Sequence, residues 1–298
     1  MFGYELCRSE DWGSWVKMFS DNGKPCRILA TSSAFTWNTE TPDSLVGRLH
    51  QHLLMPCNFL EYLEFKNLTY GLPECFWVGY PSLKERLADI PSNISLDPQI
   101  DAILRQMMLF GAYPDCAARF ASNNREGEYI RTIEAHPYLR EIAKMVVSHD
   151  IPLLQEVRGR DKLINLLNTC ASFICKNAAT KTLSRYAGIG SATTTTELLK
   201  SIIEAAFLMA RIKNHIDPTE ENPAAPSRNQ KILFADTAMA AALRRSGTSS
   251  LDDDNRKGWA YENVVGATLH ELASNAGRDL SYWRKDTVSY THLPSPRD

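Results

Sequence analysis

Residues 161–213 read DKLINLLNTCASFICKNAATKTLSRYAGIGSATTTTELLKSIIEAAFLMARIK. Leu163, Leu166, Leu167, Cys170, Phe173 and Ile174 recur at helical spacing over 161–177. A short "LSRYAGI" follows, and Gly188-Ile189-Gly190-Ser191 makes a turn rather than a phosphate cradle. "SATTTTELLKSIIEAAF" opens on a Ser or Thr cap and is striped by Leu198, Leu199, Ile202 and Ile203. "LMARIK" then reads as an extended run. Helix, short helix, turn, helix, strand is the order of a winged helix-turn-helix, and the polar "DPTEENPAAPSRNQ" loop after it supplies a wing.

Outward from this unit the chain is helical on one side and mixed on the other. "EDWGSWVKMFS" (10–20) is an amphipathic helix, and "CRILATSSA" carries a short strand, Ile28 to Ala30, ending in Thr31, Ser32 and Ser33. Small hydroxyl residues at the carboxyl end of an apolar strand are placed where α/β sheets bind ligands. Residues 44–66 read as a short helix, a strand from Gln51 to Met55, a turn at Pro56 and a further helix. Residues 97–158 read as helices, with Asp97 as an N-cap, a stop at Gly111-Ala112-Tyr113-Pro114, and a helix from His136 broken near Pro152. Downstream, "KILFAD" is a strand whose last residue, Asp236, caps a short Ala-rich helix. "WAYENVVGATLHELASNAG" is a helix with Val264, Val265, Leu269 and Leu272 inside and a stop at Gly277, and "DLSYWRK" closes with a strand.

Composition bounds the classes. The 298 residues are 44% hydrophobic and 23% charged, with net charge −2, so no global basic field points to nucleic acid. Seven cysteines fit no disulfide framework or zinc spacing, which places the chain in a reducing, cytoplasmic setting. No apolar run reaches the ~18 residues of a membrane helix.

Seven stretches in this order resemble one family. "ILATSSA", "SLVGRLHQHLLMPCNFLEYLEF", "LFGAYPD", "HDIPLL", "KILFADTAMAAAL", "YENVVGATLHEL" and "LSYWRK" are similar to segments of prokaryotic AAA-type ATP-binding proteins. Members carry a helix-turn-helix and a C-terminal restriction-nuclease-like domain of uncharacterised function. The resemblance implies a mixed α/β, mainly helical chain. It would hold the end of an AAA ATPase core (1–67), a helical lid (68–158), a winged helix-turn-helix (159–227) and a partial nuclease-like domain (228–287). It implies ATP and Mg²⁺ as cofactors of the parent protein. Thr31, Ser32 and Ser33 would act on the γ-phosphate, Arg48 in "VGR" on phosphate charge, and Glu5 as the carboxylate that orients water. Glu262 in "YEN" is a weak candidate ligand of a nuclease-type metal site.

Departures from the pattern carry equal weight. No G-x-x-x-x-G-K-[ST] loop occurs, and Tyr4 stands where the family has the Mg²⁺-holding Asp. No Asp and Glu-x-Lys set follows "SYWRK", and residues 288–298 read as a non-native tail. The expectation is a fragment of an ATPase that hydrolyses no ATP by itself. The alternatives are a DNA-binding, nuclease-like regulatory module and a non-catalytic scaffold for protein partners. The segment that would serve as recognition helix, Thr193 to Thr196 with Glu197 and Lys200, is only weakly basic even with Arg185 nearby.

Overall fold

The computed structural model describes residues 2–4, 12–21, 29–31, 52–66, 98–120, 127–151, 160–202, 207–215 and 229–282. Within them the chain is mainly helical with a small mixed sheet, the coarse fold class that the resemblance implies. No described helix is long and apolar enough to cross a membrane.

The N-terminal elements are β1 (Phe2–Tyr4), α1 (Trp12–Asp21) and β2 (Leu29–Thr31). β1 and β2 pair in parallel, with Tyr4 beside Thr31. α2 (Phe59–Phe65) starts on a capping box: the Asn58 side chain accepts from the Glu61 backbone while Glu61 returns a bond to the Asn58 N–H. The strand expected from Gln51 to Met55 does not form over 52–55, and Gln51 itself lies outside the described residues. A side chain, not a neighbouring strand, satisfies this backbone. Asn275 accepts from the Leu53 N–H at 2.7 Å and donates to the Leu53 carbonyl at 3.0 Å.

α3 (Pro98–Phe110) stops at Gly111, whose φ of 106° is open to glycine. A Cβ there would sit 3.1 Å from Leu139 and 3.2 Å from the Asp236 carboxylate. α4 (Pro114–Arg119) follows, with Pro in its first turn. α5 (Glu128–Met145) begins eight residues earlier than its expected start at His136 and runs through Pro137. The carbonyl that Pro137 leaves without an intrahelical donor belongs to Ile133, an exposed residue, so water can reach it. One π-helical turn, Val146–Asp150, extends α5.

Next come α6 (Arg160–Ser172), β3 (Asn177–Ala179), α7 (Thr180–Tyr186), α8 (Ala192–Lys200), β4 (Met209–Asn214) and β5 (Asn229–Phe234). Ser191 caps α8 through the Thr194 N–H. The sheet order is β3-β5-β4-β6, with β5 antiparallel to both β3 and β4. β6 (Ser281–Tyr282) adds in parallel to the end of β4. The expected boundary at 227/228 therefore falls inside this sheet, since β5 lies between β3 and β4. The largest core runs from Ala143 to Ala240 and also crosses 158/159.

α9 (Thr237–Leu243) is the pin of the molecule. Thr237 through Ala242 are all buried, and α9 packs on α3, α5 and α6 together. A helix buried on every side needs small residues, and the Ala run lets three helices approach it. α10 (Asp254–Asn275) is capped by Asp253, starts five residues before the expected Trp259, and ends with Gly277 at φ 65°. Its inward face keeps the expected Val264, which packs on the core, but differs from the expected one at Val265 and Leu269. Val265 is 59% exposed and Leu269 38%, whereas Ala260 and Asn263 are buried and Gly266 meets Leu233. Small and polar residues face inward because α10 lies directly on β5.

Candidate functional site

Four of the sequence candidates, Glu5, Ser32, Ser33 and Arg48, lie outside the described residues, as do Asp97, Pro152 and the 288–298 tail. Thr31 ends β2 with an exposed side chain, level with Tyr4 across the parallel pair. Glu262 sits in the third turn of α10, so a first-turn dipole role does not apply. Its carboxylate takes an ion pair from Lys231 of β5. The Tyr282 ring lies 5.3 Å from the same Lys231 ammonium. Among the described residues no group of three or more His, Cys, Asp or Glu side chains converges as a metal site, and Glu262 is spent on its lysine.

The helix-turn-helix candidates are brought together. α7 and α8 pack on each other and on α6, and the turn between them is held by the Ser184 hydroxyl bonding the Ile189 carbonyl. Thr195 and Leu198 are buried, whereas Thr193, Glu197 and Lys200 are exposed on α8 and Lys181 and Arg185 on α7. Thr195 and Thr196 each return their hydroxyl to the carbonyl four residues back, at 2.8 and 3.0 Å. Those two hydroxyls are thus tied to their own helix.

Residues that the linear sequence does not mark converge around Asp236. Its carboxylate is fully buried and caps α9 through the Met239 N–H at 2.8 Å. The other oxygen accepts the Ala112 N–H at 2.6 Å, from the turn after α3. The Ala112 carbonyl in turn accepts the Cys57 N–H at 2.9 Å. Burial raises the Asp236 carboxyl above the ordinary aspartate range, although the amides of Ala112, Met239, Ala238 and Tyr113 act against the rise. Nearby, burial and then the Asp236 charge push the Tyr62 and Tyr113 phenols up.

Beside this junction lies an open cleft lined by Cys57, Asn58, Thr237, Thr268 and Glu271 among apolar neighbours. The Met55 N–H donates to the Glu271 carboxylate at 3.3 Å. Burial, with Glu61 as a further cause, raises the Glu271 carboxyl. Burial, then Glu61 and in smaller part Glu271, also raise the Cys57 thiol. A thiol held protonated by burial and acidic neighbours is a poor nucleophile, so the cleft can receive a polar group without activating Cys57. No sequence spacing marks this set, because Met55 and Glu271 stand 216 residues apart.

The comparisons with known proteins bear on the same region. No curated protein and no solved structure matches the chain. One family model, a domain of unknown function (DUF8612), matches residues 101–252. The match runs from the first turns of α3 to the residue before the Asp253 cap, and so includes the Asp236 junction, α7, α8 and the β3-β5-β4 strands. It covers just over half of the 298 residues, and the chain therefore belongs to the DUF8612 family.

Proposed function

We propose that the chain is part of an AAA-type ATP-binding protein that couples ATP hydrolysis to its carboxyl-terminal modules. The observation that carries this reading is the parallel pairing of β1 and β2 with Tyr4 beside Thr31. In sequence, Glu5 follows Tyr4, and Ser32 and Ser33 follow Thr31. A carboxylate and a hydroxyl cluster are thus the next residues in sequence after the paired ends of two parallel strands. Water orientation and γ-phosphate contact need that pairing, and parallel sheets offer it beyond their carboxyl ends. Arg48 would add positive charge. ATP with Mg²⁺ would be held by a phosphate-binding loop, which this sequence does not contain, so the chain by itself is expected to release no phosphate from ATP.

The test is a phosphate-release assay on the protein encoded with the codons that precede Met1. The reading expects a G-x-x-x-x-G-K-[ST] loop there and Mg²⁺-dependent turnover that falls about a hundredfold or more in Glu5→Gln. A frame without the loop, or turnover indifferent to Glu5, overturns it.

A second reading, a winged helix-turn-helix that acts on DNA or a protein, is favoured by the element order α6, β3, α7, turn, α8, β4, β5 and by the strand order β3-β5-β4. Lys181, Arg185 and Lys200 give the exposed face positive charge against Glu197. In sequence, residues 216–228 carry Asp217, Glu220 and Glu221 with a single Arg228, and that negative balance opposes phosphate contact. Duplex DNA titrated at about 50 and 200 mM salt separates the two partners. Binding that weakens with salt and with Arg185→Gln supports DNA. Its absence at low salt assigns the face to protein contact.

A further inference from the structure

A second open cleft lies between α9, the 3₁₀ turn at Gly247–Leu251 and the first turns of α10. Its lining is apolar at Ile174 and Leu251 among others, and also includes Thr237, Trp259, Arg244 and Arg256. Lys176 is not in the lining itself, but its ammonium lies 3.9 Å from the centroid of the ring of Trp259, which is. Arg244 and Lys176 are half-buried, and Arg256 is exposed with its guanidinium 3.5 Å from the Ser249 carbonyl.

Among the described residues no carboxylate forms an ion pair with Lys176, Arg244 or Arg256. The adjacent acids are directed elsewhere: Asp253 accepts the Arg256 backbone N–H at 3.0 Å, and Asp252 lies 3.8 Å from Arg105. Burial lowers the Lys176 ammonium, and the charges of Arg244 and Arg256 lower it further. Burial and then Arg256 lower Arg244 in the same way. Like charges drawn together against a partly apolar wall destabilise the fold through both repulsion and desolvation. The Trp259 face offsets part of this for Lys176, while Arg256 gives one guanidinium N–H to the Ser249 carbonyl. Guanidinium forks match oxyanions bidentately, and an anion with several oxygens serves two forks and an ammonium together.

We propose that Lys176, Arg244 and Arg256 bind a phosphate group, either free or carried by a small ester whose body packs on Trp259. The site uses nothing from β1 or β2 and no residue of the exposed α7–α8 face, so it stands or falls apart from the ATPase and helix-turn-helix readings. The test is calorimetric titration of the full chain with sodium phosphate, with 5′-AMP, and with sodium chloride at matched ionic strength. Saturable heat with phosphate or AMP and none with chloride is expected. AMP tighter than phosphate identifies an ester, and equal affinities identify free phosphate. Arg256→Gln, at an exposed position that leaves the core untouched, should raise Kd about tenfold or more, and Arg244→Gln should do the same. Lys144→Gln, on the outside of α5, should leave Kd unchanged. Heats indistinguishable from chloride, or Arg256→Gln with the original Kd, overturn the proposal.

Discussion

Asp236 divides one carboxylate between two tasks. One oxygen caps α9 and the other holds the backbone of the turn after α3, which is 124 residues away in sequence. Replacing it with Ala removes the cap, worth about 1 kcal/mol, and leaves buried amides without an acceptor, at about 1–3 kcal/mol. Asp236→Ala should therefore lose about 3 kcal/mol in urea denaturation, and a loss under 1 kcal/mol would show that water or relaxation replaces the carboxylate. Gly266 offers a second residue-scale prediction. A Cβ there would stand 2.8 Å from Leu233 Cδ1. Ala in place of Gly gains up to about 1 kcal/mol of helix propensity, whereas overpacking costs about 1–3 kcal/mol. Leu233 is buried, with little room to move, so overpacking wins and Gly266→Ala should destabilise by about 1 kcal/mol. A stabilised variant would show that the α10–β5 contact is loose.

At the scale of elements, α10 is fixed to the sheet by one buried amide. Asn263 accepts the Phe234 N–H at 2.8 Å and donates to the Phe234 carbonyl at 2.9 Å and to the Thr237 hydroxyl at 3.0 Å. Asn275 repeats the device at the far end of α10, on Leu53. The two differ in burial: Asn263 is inaccessible to solvent and Asn275 exposed. Asn263→Ala should therefore cost about 2–3 kcal/mol and loosen α10, whereas Asn275→Ala should cost under about 1 kcal/mol because water can replace it. Hydrogen exchange along α10 measures both, and equal effects would refute the burial argument. The same bracket explains why 52–55 reads as a strand and is none. Its backbone partner is a side chain on a helix, and periodicity carries no record of that.

For the whole molecule, acid stability sums opposing groups. Burial holds His136 below the ordinary 6.5, and Arg140 lowers it further, while its Nε2–H bond to the Leu109 carbonyl acts the other way. Burial lowers His270 too. A base with a depressed folded pKa contributes stability above its unfolded value that is lost as pH falls toward the folded one. Unfolding temperature should therefore fall as pH drops below about 6.5. Glu271 has the opposite sign: its raised carboxyl contributes stability at low pH that is lost as pH rises through the folded value. Glu271→Gln keeps an oxygen for the Met55 N–H and should steepen the acid fall. His136→Gln should flatten it. Identical profiles for the three proteins would remove these residues from the account.

The sequence by itself determined the helices with one apolar stripe, the stop at Gly111, the cap at Asp236, the order of α6, α7 and α8, and the Gly277 terminus. Those features are local: spacing, cap chemistry and glycine act within one or two turns. Only the tertiary structure decided that β5 lies between β3 and β4, that Val265 and Leu269 face solvent, and that α5 runs through Pro137. It alone brought Cys57 to Glu271, Lys231 to Glu262, and Lys176 to Trp259. Each of these pairs joins segments far apart in the chain, and which distant surfaces meet is set by how helices with alternative apolar or small-residue faces pack around the alanines of α9. Periodicity favours the apolar face of α10. The sheet instead takes the face with Ala260, Asn263 and Gly266, because only small side chains and a bracketing amide let a helix lie this close to β5.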